Sequence, residues 1–279
     1  MPDTLRCRVR RALLHLSLLI FATSPAWAQG QPQTVTTWDP AVGEDYHFEA
    51  QLGFWTPKPE ITLSSASLGI VGSQIDFVKD LGIESARFRE IRLIGRPAKK
   101  HKFRFAYIPI NYGVTDARLT RTLTFNGVRY PIDIPVTAAL TWKAYRFGYE
   151  YDFVYRDRGF VGVVVDTKYT DITATLSSRA ANEFAHAKAP IPTIGGIGRV
   201  YVAPNVSITG ELTGLKVGPI GDKQYEGRYF DFDLYGTANF TNNVGAQLGY
   251  RSLDVSYTID RDNGTLKTRG FYFSGVVRF

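Results

Sequence analysis

The chain has 279 residues, with 33 Lys and Arg against 26 Asp and Glu, a formal net charge of +7, one Cys, one Met, 26 Gly, 16 Tyr and 18 Phe. A lone Cys excludes a disulfide framework or a cysteine metal cluster, and acids interspersed with the bases exclude the one-sided basic face of a nucleic-acid binder. Abundant Gly and aromatics, without long Leu/Ala/Glu/Lys runs, point away from helices and towards strands.

The chain begins with Arg6, Arg8, Arg10 and Arg11, then an apolar run from Ala12 to about Phe21, then Ala26-Trp27-Ala28. A basic start, a short apolar run and a small-x-small triplet are the parts of an export signal, so residues 1–28 are expected to be cleaved after Ala28. The run is about half the ~20 residues a spanning helix needs, and His15 interrupts it. Cys7 lies before the run, away from the position of a lipidated cysteine. Four basic residues and one acidic residue lie in this leader, so the net charge beyond it falls to +4. Residues 29–43 hold Pro32 and Pro40 with no period and read as a lead-in; residues 44–279 read as one domain without internal repeats.

From residue 44 onward the signal is alternation. Phe48, Ala50, Leu52 and Phe54 stand against Glu49, Gln51 and Gly53; Tyr145, Phe147, Tyr149, Tyr151 and Phe153 against Arg146, Gly148, Glu150 and Asp152. The same holds for Val161, Val163 and Val165, for Ile208 and Leu212, for Phe230, Phe232 and Leu234, for Leu248 and Tyr250, and for Phe271, Phe273, Val277 and Phe279. A period of two sends the two sets to opposite faces of a strand. Candidate strands are 44–57, 70–78, 84–95, 101–113, 118–126, 137–155, 159–175, 193–203, 205–215, 226–240, 243–258 and 264–279. Tight turns are expected at Arg156–Gly159, Ala203–Asn205 and Thr241–Asn243, and long polar loops at 177–191, 215–225 and 258–264. Asn126-Gly127 can turn a hairpin of its own. Strands of this length, aromatic mainly near their ends and joined by short and long connections in turn, predict an all-β fold: a single closed antiparallel transmembrane β-barrel. It would have about 12 strands, with 10 to 14 compatible.

The terminal Phe279, preceded by Val277 and Phe273, together with the export signal and the aromatic strands, resembles the β-barrel outer-membrane proteins of Gram-negative bacteria. Asp76–Gly82, His101–Phe105 and Arg146–Tyr151 are also similar to segments of an uncharacterised group of proteobacterial barrel proteins. The resemblance covers residues 44–279. It implies the outer membrane, a periplasmic C-terminus and lead-in, a terminal signal for the barrel assembly machinery, and lipid and lipopolysaccharide as surroundings. It implies no activity.

The alternate face supplies lumen-lining candidates: Glu150, Asp152, Asp166, Lys168, Glu211, Asp231, Asp233, Arg251 and Arg278, with Tyr229, Tyr235 and Tyr272 beside them. Mixed charges inside a barrel suit a passive or weakly selective channel for small solutes. They equally suit a plugged, ion-paired lumen in a structural or surface-interaction barrel. A second basic group, Arg96, Lys99, Lys100 and Lys102, would meet lipopolysaccharide phosphates if its turn faces outward. Past the leader the His residues are His47, His101 and His186, and none belongs to a G-x-S-x-G or H-E-x-x-H pattern. A lipid-modifying enzyme is therefore the third reading and catalysis is not expected. His186 with Glu183 is only half a metal site, so neither metal nor cofactor is expected. The oligomeric state is not legible.

Overall fold

The computed structural model describes residues 41–64, 72–220, 225–259 and 262–279. The expected export signal and residues 29–40 of the lead-in lie outside the described residues. The strands are β1 (Phe48–Ser64), β2 (Ile75–Asp76), β3 (Phe88–Ala98), β4 (His101–Arg118), β5 (Leu123–Phe125), β6 (Val128–Tyr130), β7 (Pro135–Arg156), β8 (Gly159–Ser177), β9 (Asn182–Ala203), β10 (Val206–Ile220), β11 (Tyr225–Asn239), β12 (Val244–Ile259) and β13 (Asp262–Arg278).

Ten of them form the wall. They pair antiparallel in the order β13, β12, β11, β10, β9, β8, β7, β4, β3, β1, and β1 pairs back onto β13 from Glu49↔Arg278 to Ser64↔Asn263. In the part of the wall nearer Phe279 every strand is paired on both sides and closure leaves no sheet edge, the condition for strands in hydrocarbon. The last residue completes the seam: the Phe279 N–H donates to the Phe48 carbonyl at 2.8 Å, and its own carbonyl accepts from His47 and Phe48.

Ten strands stand where about twelve are expected, because two candidates serve another purpose. Residues 70–78 reduce, among the described ones, to the short β2, which borders β1 at Thr62↔Asp76 and Leu63↔Ile75. Residues 118–126 split between the end of β4 and the β5–β6 hairpin, a separate two-stranded sheet. That hairpin turns on Asn126 and Gly127, with φ of 49° and 84°, the left-handed pair of a type I′ turn. Both segments carry apolar residues that point inward rather than alternating between lipid and lumen. Ile75, Phe77, Leu81, Ile83, Leu123, Phe125 and Tyr130 are all buried.

Short turns fall at 157–158, 204–205 and 240–243, on the end of the barrel that carries Phe279. The expected long loops at 177–191 and 215–225 are largely strand, since β8 and β9 pair from Gly159↔Val200 as far as Ser177↔Asn182. Residues 41–47 precede the first strand and cross the Phe279 end: the Val42 N–H donates to the Pro204 carbonyl, and Asn239 donates to the carbonyl of Val42 at 2.6 Å. On the outer surface Leu52, Phe54, Phe103, Phe147, Val163, Leu212, Phe232, Leu248 and Phe273 remain exposed. On β4 and β7 the outward aromatics occupy the half nearer Phe279. Phe103–Tyr149, Phe105–Phe147 and Tyr107–Tyr145 form successive cross-strand pairs with centroids 5.5, 5.1 and 4.6 Å apart.

Candidate functional site

The interior is built in two layers, and the alternation of each strand decides which residues reach it. In the layer nearer Phe279, all nine lumen candidates are buried. Lys102 on β4 meets Glu150 and Asp152 on β7 at 2.6 and 2.9 Å. Arg104 reaches from Glu150, at 3.2 Å, across the lumen to Glu211 on β10, at 2.6 Å. Arg146 joins Glu211 to Asp166, the latter at 2.6 Å. A second chain runs from Lys168 through Asp231, 2.7 Å away, to Arg251, then to Glu90, Arg92 and Asp233, and ends at the Tyr272 hydroxyl, which donates to Asp233.

Several of these pairs join strands that are not neighbours. β4 and β10 are separated by three strands, as are β3 and β11, so Arg104–Glu211 and Arg92–Asp233 cross the lumen. Buried ions require partners and hydrogen bonds on every side, because an isolated charge there costs several kcal/mol on the order of magnitude known for protein interiors. Two cavities among these residues hold about 20 Å³ each, room for about one water molecule. Closer to Phe279, Arg278 meets Glu49 at 2.5 Å and Asn239 at 2.7 Å, and Arg199 holds Glu44 of the crossing segment at 2.6 Å.

Above Trp55, which lies under the Arg251 guanidinium, the interior turns apolar. Ile108, Ile110, Leu140, Trp142, Leu253, Val255 and Leu266 point in from the wall, and Phe77, Leu81, Ile83, Leu123 and Phe125 come down from the connections. Residues 76–82 are shaped for this. Asp76 accepts the Val78 and Lys79 N–H groups, Gly82 takes a φ of 72°, and Arg121 clasps Asp80 with two bonds of 2.9 and 2.6 Å.

At the end away from Phe279 opens a vestibule of about 520 Å³, floored by the apolar wall residues Ile61, Leu140, Val255 and Leu266. β9 hydrogen-bonds to β10 only up to Ile194↔Gly214, so the upper part of the β8–β9 hairpin leaves the wall. Its Phe184–Lys188 face Ile61, Leu63, Val255 and Leu266 across the cavity. Tyr130 and Asn126 of the small hairpin tie it down, donating to the Leu176 carbonyl and to Glu183 at 2.9 and 2.8 Å. At the rim His186 Nε2 lies 2.8 Å from Asp171, and Lys188 lies 3.5 Å from the same carboxylate.

No family model and no curated protein matches the chain. Among solved structures it is similar to the outer membrane protease OmpT from Escherichia coli, at 10% identity and a TM-score of 0.54, over 86% of this chain and 98% of that one. The fold is that of the outer-membrane β-barrels. Two further outer-membrane proteins align at lower scores. They are the toluene transporter TbuX of Ralstonia pickettii (10% identity, TM-score 0.36, 86% and 92% covered) and the attachment invasion locus protein Ail of Yersinia pestis (6%, 0.36, 82% and 99%).

Within this outer-membrane-type barrel the expected basic group is divided. Arg96 and Lys102 are buried in the lumen, and Lys99 and Lys100 sit exposed in the β3–β4 turn at the Phe279 end. The outward placement required 70–78 to be a full strand; without it the parity of 84–95 reverses and the turn changes ends. Glu183 does not join His186, which pairs with Asp171 instead. Among the described residues no hydroxyl is hydrogen-bonded to the other ring nitrogen of His186. Glu90, Arg92, Arg104 and Arg146 are interior residues that the sequence reading left out. Arg146 shares a face with Glu150 and Asp152 and could have been found there; Glu90 and Arg92 sit in 84–95, where alternating charges mark no face.

Proposed function

We propose that the protein is an exported outer-membrane barrel with a closed lumen, whose outward vestibule binds a small apolar or amphipathic molecule. The observation that carries this is the pair of sealed layers beneath the vestibule: ion pairs crossing the lumen, and an apolar floor above them. A cavity of about 520 Å³ falls within the roughly 300–1,000 Å³ of small-molecule sites, which are apolar with a few polar groups at the rim. Moving a hydrated solute through the ion-paired layer would separate buried charges, each at a cost of about 3–5 kcal/mol.

The second reading, a weakly selective channel, draws support from the ionic character of the lower layer, which a field could rearrange as an apolar core could not. Planar-bilayer recordings of the purified protein separate the two. Silence at all voltages, combined with saturable binding of an apolar fluorescent probe that is lost when Leu266 is replaced by Arg in the vestibule, supports the closed barrel. Steady conductance supports the channel and overturns the closed lumen.

A further inference from the structure

Outward-facing residues of β10–β13 and β1 form a second surface that neither the lumen nor the vestibule uses. Lys216 pairs in register with Arg228, Arg228 with Ser256, Asp254 with Lys267, and Arg269 with Lys58. Five basic side chains on β10, β11, β13 and β1 thus share one outward face over three successive rows, with Asp254 and Ser256 of β12 between them. Arg228 and Lys267 share Asp254 at 2.9 and 3.8 Å, and Arg269 meets Glu60 at 2.9 Å. Lys216 and Lys58 have no ion partner among the described residues. Between Lys216, Arg228 and Lys267 lies a groove of about 540 Å³, also lined by Glu226 and by Ser256, Thr258, Asn263 and Thr265.

The position of the groove decides what can occupy it. Each of these strands continues, towards Phe279, into an outward apolar run: Leu212 on β10, Phe230 and Phe232 on β11, Leu248 on β12, Phe271 and Phe273 on β13, Phe54 on β1. A molecule that fills the groove therefore has hydrocarbon immediately below and water above. Cations paired only in part and spread over the upper border of the apolar wall attract phosphate, and the hydroxyl and amide groups beside them suit a sugar. We infer that this face binds the phosphorylated sugar headgroup of a glycolipid whose acyl chains lie along the apolar wall beneath.

The inference rests on the bilayer placement proposed above, which flotation with neutral phosphatidylcholine vesicles tests by itself. The test of the headgroup site measures binding of the full-length protein, in mild detergent, to a bisphosphorylated hexa-acyl glucosamine disaccharide and to the same lipid without phosphates. The phosphorylated lipid should bind at least about tenfold more tightly, the effect of one charge-assisted phosphate contact. Lys216→Gln with Lys267→Gln should abolish that preference. Lys99→Gln with Lys100→Gln, at the Phe279 end, should leave it intact, and both variants should keep the β-barrel circular dichroism spectrum. Equal binding of the two lipids overturns the inference, as does complete competition by millimolar inorganic phosphate, which would mark a site for free anions. An equal loss in the Lys99/Lys100 variant overturns it too, since it would mark general attraction to the basic barrel. Binding that needs a second protein does so as well.

Discussion

The two interior layers fill the same ten-stranded wall by opposite means. Near Phe279 the wall fills itself: side chains of β3, β4, β7, β8, β10, β11 and β12 meet in the middle as ion pairs. Above Trp55 the wall supplies hydrocarbon but not enough of it, and the β1–β3 and β4–β7 connections fold in to complete the packing. A charged layer fixes geometry, because every ion depends on a named partner. An apolar layer fixes volume, and its members are exchangeable at similar size. Perturbing one residue of each should therefore give effects of different origin.

The largest effect belongs to the charged layer. Arg251→Met removes the bonds to Asp231 and Glu90 and leaves each of these buried carboxylates with one cation, Lys168 for Asp231 and Arg92 for Glu90. The loss should be about 3–5 kcal/mol, the usual consequence of removing one partner from buried ion pairs, read by urea unfolding in lipid vesicles. A loss below about 1 kcal/mol would mean that the layer is hydrated and open, which would favour the channel. Phe77→Ala, in the apolar layer, should cost about 3–4 kcal/mol through the cavity it leaves. Unlike Arg251→Met, it should leave the lower wall's hydrogen-exchange protection unchanged and make residues 72–87 sensitive to protease. Asn126→Ala comes next. It keeps the hairpin but places a Cβ residue without a local polar partner at a φ of 49°, for a loss of about 1 kcal/mol.

This contrast also explains what could be read from the sequence. The charged layer is made by strands whose outward face is apolar, so period two exposes it; Glu150, Asp152, Asp231 and Asp233 alternate with Tyr149, Tyr151, Phe230 and Phe232. The apolar layer hides, because a residue such as Leu140 or Val255 looks the same whether it faces lipid or lumen. Its cap hides further. Ile75, Phe77, Leu81 and Ile83 carry the composition of a strand, and only the Asx turn at Asp76 and the left-handed Gly82 turn them into a plug. Counting them as a strand also moved the Lys99–Lys100 turn to the wrong end. The vestibule is less legible again: His186 and Asp171 are 15 residues apart and meet only because β8 and β9 pair so far beyond Ile194.

The smallest expected effect tests what pins the cap to the apolar layer. Arg121 holds Asp80 by two hydrogen bonds, and these bonds, more than its surroundings, keep the Asp80 carboxyl below the ordinary carboxylate range. A carboxyl lowered in the folded state contributes stability that is present above its unfolded pKa and is lost as pH falls through its folded value. The cap should thus open more readily on acidification, by less than about 1 kcal/mol for a pair at the surface. Hydrogen exchange at the Ile83 amide, which donates to the Phe77 carbonyl at 3.0 Å, reports the opening directly. Asp80→Asn should bring the low-pH behaviour to neutral pH and flatten the profile across the acidic range. If the variant keeps the parent's slope, the pH response belongs to the buried carboxylates below, and the ionic layer rather than the clasp governs how firmly the cap is held.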